Sequence, residues 1–166
     1  MRVLFLGTAG INKKAFVEKI AEIACRTQSD AESFLKVVDI DGEIRNRLGG
    51  ATGYAALLDN PTPERRQETW DSVFDQKVLE PFGTDPHRPP HVFLLLHGVY
   101  YRDKDHFSHV NLSLLRKFQP SVVVTLIDDA YDVANEINTR EKIWITGSEC
   151  SSAEAMEWRA VEIMTG

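Results

Sequence analysis

Met1-Arg2-Val3-Leu4-Phe5-Leu6-Gly7-Thr8-Ala9-Gly10-Ile11-Asn12-Lys13-Lys14 opens the chain, and its reading decides the fold. Val3 to Leu6 are all apolar, which reads as a strand buried on both faces; a half-exposed strand would alternate apolar with polar. The run ends at Gly7-Thr8-Ala9-Gly10, a turn-forming stretch. Lys13 to Cys25 then carries Phe16, Val17, Ile20, Ile23 and Ala24 at helical spacing. A buried strand, a glycine turn and an amphipathic helix begin a parallel α/β unit.

The same alternation continues outward. A second strand is predicted at Phe34 to Ile40, ending in Asp39-Ile40-Asp41-Gly42. Gly49, Gly50 and Gly53 break the next segment. Pro63 and Glu64 open a helix to Val78, with Trp70, Val73, Phe74 and Val78 on one stripe. Pro81 to Pro90 holds four of the seven prolines and reads as a loop. His91 to His97 is a third buried strand, Leu112 to Phe118 a short helix stopped by Pro120, and Ser121 to Ile127 a fourth strand. Asp128-Asp129 cap a helix over Ala130 to Ile137, and Ser151-Ser152 with Glu154 open a last one to Met164. Continuous apolar strands separated by helices indicate a three-layer α/β fold with a parallel sheet. Ligands in such folds sit at the carboxyl ends of strands, here Gly7, Asp39, His97 and Asp128.

Composition narrows the function classes. The 166 residues suit a single domain at roughly 100–200 residues each, with a core large enough to need no staple. Nineteen Lys and Arg against 25 Asp and Glu give a net charge of −6, which argues against nucleic-acid binding through a basic face. Two cysteines fit a reducing compartment. The apolar runs are far short of the roughly 20 residues of a membrane span. The chain therefore reads as cytoplasmic, without membrane or nucleic-acid partners.

Chemistry concentrates in Gly7 to Lys14. The P-loop pattern G-x-x-x-x-G-K-[ST] wraps phosphate in backbone N–H groups, sets a Lys on the outer phosphates and a hydroxyl on Mg²⁺. Here Gly7, Gly10 and Lys13 are kept, Asn12 replaces the second glycine, and Lys14 replaces the hydroxyl. Asn12 is suited to a positive φ in that place; Lys14 cannot coordinate Mg²⁺. A plain glycine turn with two solvated lysines is the bland alternative. A helix N-terminus beside two lysines nevertheless favours an anion, so a nucleotide such as ATP is the expected ligand and Mg²⁺ is left open.

The order of P-loop, strand, helix, strand ending in His and strand followed by Asp-Asp resembles the nucleoside monophosphate kinases, archaeal-type adenylate kinases in particular. Their third strand ends in Asp-Thr-His where this one ends in Leu95-Leu96-His97. Their fourth strand follows a short helix and a proline and runs to an acidic pair, as Leu114 to Pro120 and Ser121 to Asp129 do here. The resemblance implies a P-loop kinase-type sheet and lid arginines at Arg140 and Arg159. It also implies a fifth strand, for which the chain shows no segment, and hence a further C-terminal domain or partner chain. Leu95 stands where the family's metal-orienting Asp would fall, so Lys13, Lys14, Arg140 and Arg159 would have to supply the charge that Mg²⁺ usually neutralises.

The remaining candidates each carry two readings. Asp39 and Asp41 face an acceptor or cap the following helix. Arg45, Arg47, Arg65 and Arg66 grip an acceptor phosphate or are solvated. His97 faces the site from its strand end. His106-x-x-His109 has zinc-like spacing, but no Cys or Glu completes a tetrahedral set; no metal site is assigned. Tyr100, Tyr101 and Phe107 stack on a base or pack in the core, and Cys25 reads as inert core. No nucleophile elbow is present.

Two functions follow. In the first, Gly7, Gly10, Asn12 and Lys13 cradle ATP phosphates, Lys13, Lys14, Arg140, Arg159 and His97 serve phosphoryl transfer, and Asp39, Asp41 and Arg45 bind a small or phosphorylated acceptor. In the second, the domain binds a nucleotide without catalysis and regulates a larger protein.

Overall fold

The computed structural model describes residues 1–27, 35–60, 62–82, 91–102, 105–140, 142–145 and 149–165. These form six strands: β1 (Arg2–Leu6), β2 (Leu35–Asp39), β3 (His91–Leu95), β4 (Tyr100–Arg102), β5 (Asp105–Phe107) and β6 (Val122–Thr125). The helices are α1 (Lys13–Thr27), α2 (Ile40–Arg47), α3 (Ala51–Leu58), α4 (Pro63–Phe74), α5 (Leu112–Phe118), α6 (Ala130–Thr139) and α7 (Ser152–Thr165). A π-helical turn, Asp75–Leu79, carries α4 on into Glu80–Phe82, and a 3₁₀ turn spans Lys142–Trp144.

Four strands make one parallel sheet in the order β2-β3-β1-β6. β1 pairs with β3 through Leu4↔Leu94 and Phe5↔Leu95, and with β6 through Leu4↔Val123 and Phe5↔Val124. The period-2 alternation of a strand sends neighbours to opposite faces. Leu4, Leu6, Val92, Leu94 and Leu96 join a large cluster with Tyr54, Trp70, Phe74, Phe118, Trp144 and Trp158. Val3, Phe5, Phe93 and Leu95 join a smaller one with Val17 of α1. Both faces of the two central strands are covered, which is why Val3 to Leu6 of β1 and Val92 to Leu95 of β3 are apolar without interruption. The protein is α/β, with helices flanking a parallel sheet.

Several boundaries differ from the sequence reading. β2 ends at Asp39, because the Asp39 side chain accepts from Gly42 N at 3.2 Å and starts α2. β6 lies at the sheet edge, so Val122 and Val123 are 45% and 47% exposed despite the apolar run. Phe16 and Ile23 of α1 are exposed as well, while Val17 of the same helix is fully buried. An antiparallel hairpin of β4 and β5 follows β3; each of its strands has three residues, too few to show an alternating pattern. Residue 34, most of the proline-rich segment and the Cys25 side chain lie outside the described residues. Among the described residues no helix is long and apolar enough to cross a membrane.

Gly53 does not break the chain but sits inside α3. A Cβ there would lie 2.0 Å from the Leu48 carbonyl oxygen, so glycine lets α3 fold back against the end of α2. Replacing a helical Gly by Ala normally gains about 1 kcal/mol, while forcing atoms into a filled space costs about 1–3 kcal/mol. The clash is with backbone, which cannot rotate away. Gly53→Ala is therefore expected to lower the urea midpoint; a raised midpoint would refute the close approach.

Candidate functional site

The order β2-β3-β1-β6 creates a switch point between β1 and β3. From β1 the chain crosses to β2 on one side, and from β3 it crosses to β6 on the other. The loops that leave the two central strands therefore diverge and open a crevice at their carboxyl ends. A cleft of about 120 Å³ lies at this end of the sheet, lined by Ile11, Asn12, Lys13, Lys14, Asp39, Asp41, Gly42, Arg45, Leu95, His97 and Trp144.

Lys13 is the first residue of α1 and is buried. Its Nζ donates to Gly7 O at 2.5 Å and Thr8 O at 3.2 Å, and stands 2.9 Å from His97 Nδ1. The same Nδ1 lies 2.7 Å from Gly7 O, so it faces both a donor, the Lys13 ammonium, and an acceptor, the Gly7 carbonyl. Nε2 faces Asp41 Oδ2 at 3.7 Å. Rings of Trp144, Tyr100 and Trp158 enclose the imidazole at centroid distances of 5.0, 5.6 and 6.2 Å. A cation and an anion thus lie on opposite sides of one enclosed histidine.

Asp41, in the first turn of α2, is buried, and its Oδ1 accepts from Tyr54 at 2.6 Å and Tyr100 at 2.8 Å. Burial first, and then the Asp41 charge, hold both phenols well above their ordinary pKa, so they remain O–H donors. Burial and then Asp41 raise the Asp39 carboxyl above the usual range; Lys13 and Arg45 act in the opposite sense.

The loop that carries Gly7 is tied down from the far end of the chain. Glu162 of α7 is 1% exposed, and its carboxylate accepts from Gly7 N at 3.0 Å, Gly98 N at 2.8 Å and Val99 N at 2.8 Å. Trp158, one turn earlier, donates from Nε1 to Val99 O at 2.9 Å. Burial raises the Glu162 carboxyl against the lowering effect of these amides. The sequence reading missed Glu162, Tyr54 and Trp144. A signal for Glu162 was available: it continues the buried stripe of Ala155 and Trp158, and a charge on such a stripe calls for partners.

Of the residues singled out from sequence, Asn12, Lys13, Lys14, Asp39, Asp41, Arg45 and His97 line the one cleft. Gly10, at φ 80°, packs on α6: a Cβ there would lie 2.7 Å from Val133 O. Gly7 lies beneath the cleft, between the Glu162 carboxylate and the Lys13 ammonium. Asn12 does not adopt the positive φ that an asparagine would tolerate; its Oδ1 caps α1 by accepting from Ala15 N at 3.0 Å. Lys14 is largely exposed, 3.8 Å from Glu18.

Arg140 and Arg159 do not line the cleft: Arg140 is exposed beside Glu136 at 3.3 Å, and Arg159 donates to Asp128 O at 2.9 Å. Arg66 holds the Leu58 and Asn60 carbonyls and covers the Phe107 ring; Arg47 donates to Ser72. Tyr100 and Tyr101 are buried, and Phe107 stacks on Tyr100 at 5.7 Å, a packing role. Among the described residues no three His, Cys, Asp or Glu side chains converge as a metal site. No protein-family model matches the chain, and no curated protein shows significant similarity to it.

Two stability predictions follow from the buried charges. Glu162→Ala strands three amide donors, each worth about 1–3 kcal/mol when left unsatisfied; a loss above about 3 kcal/mol is expected in urea unfolding, and a loss under 1 would show that water replaces the carboxylate. Burial, with Arg66 nearby, lowers the His109 pKa from 6.5 to about 4. A histidine depressed in the fold contributes stability that is full above its unfolded pKa and is lost as pH falls from 6.5 towards 4, by up to about 3 kcal/mol. His109→Gln should flatten that part of the pH–stability curve, and an unchanged slope would count against the burial.

Proposed function

We propose that the cleft binds the phosphates of a nucleotide, in the manner of a P-loop, and that the protein is a nucleotide-binding domain of the nucleoside monophosphate kinase kind. The observation that supports this most is the placement of Lys13: a buried ammonium at the N-terminus of a helix, directly after the central strand, at the switch point of a parallel sheet. Helix N-termini offer free N–H groups and a favourable potential to anions, and Lys14 adds a second cation at the rim. The sheet order, with β3 beside β1 and β6 on the other flank, is consistent with the resemblance read from the sequence.

The residues present fit a triphosphate better than they fit its metal. Neither Lys14 nor Leu95 can ligate Mg²⁺, and the carboxylates lining the cleft, Asp39 and Asp41, belong to β2 and α2 rather than to the phosphate loop. Phosphoryl transfer from ATP to a small acceptor is the activity proposed, with Lys13 drawing charge from the transferred group and His97 holding Lys13 in line. A regulatory module that binds nucleotide without transfer is the second reading. It is favoured by the placement of Arg140 and Arg159 on Glu136 and on the Asp128 carbonyl rather than in the cleft wall.

Calorimetric titration with ATP, GTP and AMP, with and without Mg²⁺, tests the proposal. Lys13→Met keeps the length of the side chain and removes its charge. With melting temperature used to verify the fold, it should weaken nucleotide binding by more than about 1.5 kcal/mol, the scale of one charge-assisted hydrogen bond. Unchanged affinity would remove the phosphate reading. Binding without transfer would select the regulatory module.

A further inference from the structure

Two buried atoms of the residues that line the cleft have no hydrogen-bond partner, and they need opposite things. Asp41 is 5% exposed and both phenols donate to its Oδ1; Oδ2 faces His97 Nε2 at 3.7 Å, beyond hydrogen-bond distance, and accepts no hydrogen bond. Arg45 Nε is buried and donates to nothing, while its guanidinium lies 5.7 Å over the Tyr54 ring. A carboxylate oxygen calls for a donor and a guanidinium N–H for an acceptor, and burial makes leaving either unmet expensive. Asp39 places a second carboxylate in the same wall.

This pattern argues against a phosphate monoester as acceptor. With Lys13 and Lys14 taken up by the nucleotide phosphates, a dianion would be left with two carboxylates and one guanidinium, a net repulsion in a partly dry site. An amine would satisfy the carboxylates but leave Arg45 without an acceptor and add a cation beside it. A molecule with both an O–H donor and a single negative charge meets both requirements.

Resting on the nucleotide reading above, we propose that the acceptor half of the cleft takes a small hydroxy acid, whose hydroxyl donates to Asp41 Oδ2 and whose carboxylate accepts from Arg45 Nε. Tyr54 and Tyr100 are positioning residues: by occupying Oδ1 they leave Oδ2, which has no hydrogen-bond donor, to the acceptor hydroxyl. In the transfer step the acceptor hydroxyl gives its proton to Asp41 Oδ2, and its oxygen bonds to the γ-phosphorus of the nucleoside triphosphate. The bond from that phosphorus to the β–γ bridging oxygen breaks, and the nucleoside diphosphate leaves with the electron pair. The other product is the phosphate ester of the hydroxy acid.

The test uses the full chain, titrated first with the β,γ-imido analogue of ATP and then, when loaded, with gluconate, glycerate, lactate, mannitol, butyrate and AMP. At least one of the three hydroxy acids is expected to bind. Mannitol, which lacks the carboxylate, and butyrate, which lacks the hydroxyl, should bind at least about tenfold more weakly, the weight of one good polar contact. Asp41→Asn and Arg45→Gln should each weaken the hydroxy acid about tenfold. Should Asp41→Asn melt too low to measure, Arg45→Gln decides. Binding of AMP with none of the hydroxy acids, or hydroxy-acid binding that survives the measurable substitutions, overturns the assignment. Analogue binding with no acceptor bound at all overturns it too, and leaves the nucleotide reading standing. Failure to bind the analogue removes both.

Discussion

One carboxylate holds the loops of both central strands. Glu162, on the last helix, accepts from the amides of Gly7, Gly98 and Val99. Those amides would otherwise be orphaned where the ladder ends and the two chains part, because neighbouring strands no longer pair them. Backbone donors in a dry interior must be met by something, and a buried carboxylate that receives three of them is better compensated than one left to a single partner. The cost of burying the charge shows in its raised pKa. The consequence is geometric: the turn that leads to Lys13 and the strand end that carries His97 are fixed to the same atoms.

That constraint makes the polar chain above it intelligible. Lys13, His97, Asp41, Tyr54 and Tyr100 are buried and lie in sequence across one aromatic box. Taken singly, each would be expensive to bury. The ammonium donates to two main-chain carbonyls beside the imidazole and the two phenols donate to the carboxylate, so these groups largely compensate one another. Asp41 Oδ2 and Arg45 Nε, both on residues of the cleft wall, are left without a hydrogen bond. These two atoms are the ones on which the proposed acceptor site rests.

Much of the sheet was legible from local pattern. A strand covered on both faces has to be apolar, and β1 from Val3 and β3 from Val92 are; Leu112–Phe118 as a short helix was legible from Pro120 beyond its end, and Asn111 caps it in the fold. Edge position was not legible, because β6 has the same composition as a central strand and differs, among the described residues, in pairing with β1 alone. The hairpin of β4 and β5 was hidden by its brevity. Gly53 reads as a breaker by propensity, yet it is a helical residue, because the Leu48 carbonyl against it comes from the end of the preceding helix.

For the site, the sequence by itself determined which residues stand at the carboxyl ends of strands, since strand ends follow from where apolar runs stop. Lys13, Asp39, Asp41 and His97 were identifiable on that ground, and they converge on one cleft. Only the tertiary structure decided what those groups do to one another. Lys13 and His97 are separated by 84 residues and Asp41 and Tyr100 by 59, and no local spacing encodes such pairs. The same holds for the arginines: Arg45 enters the cleft wall while Arg140 and Arg159 do not, because helix phase and packing, rather than charge, set the direction of each side chain.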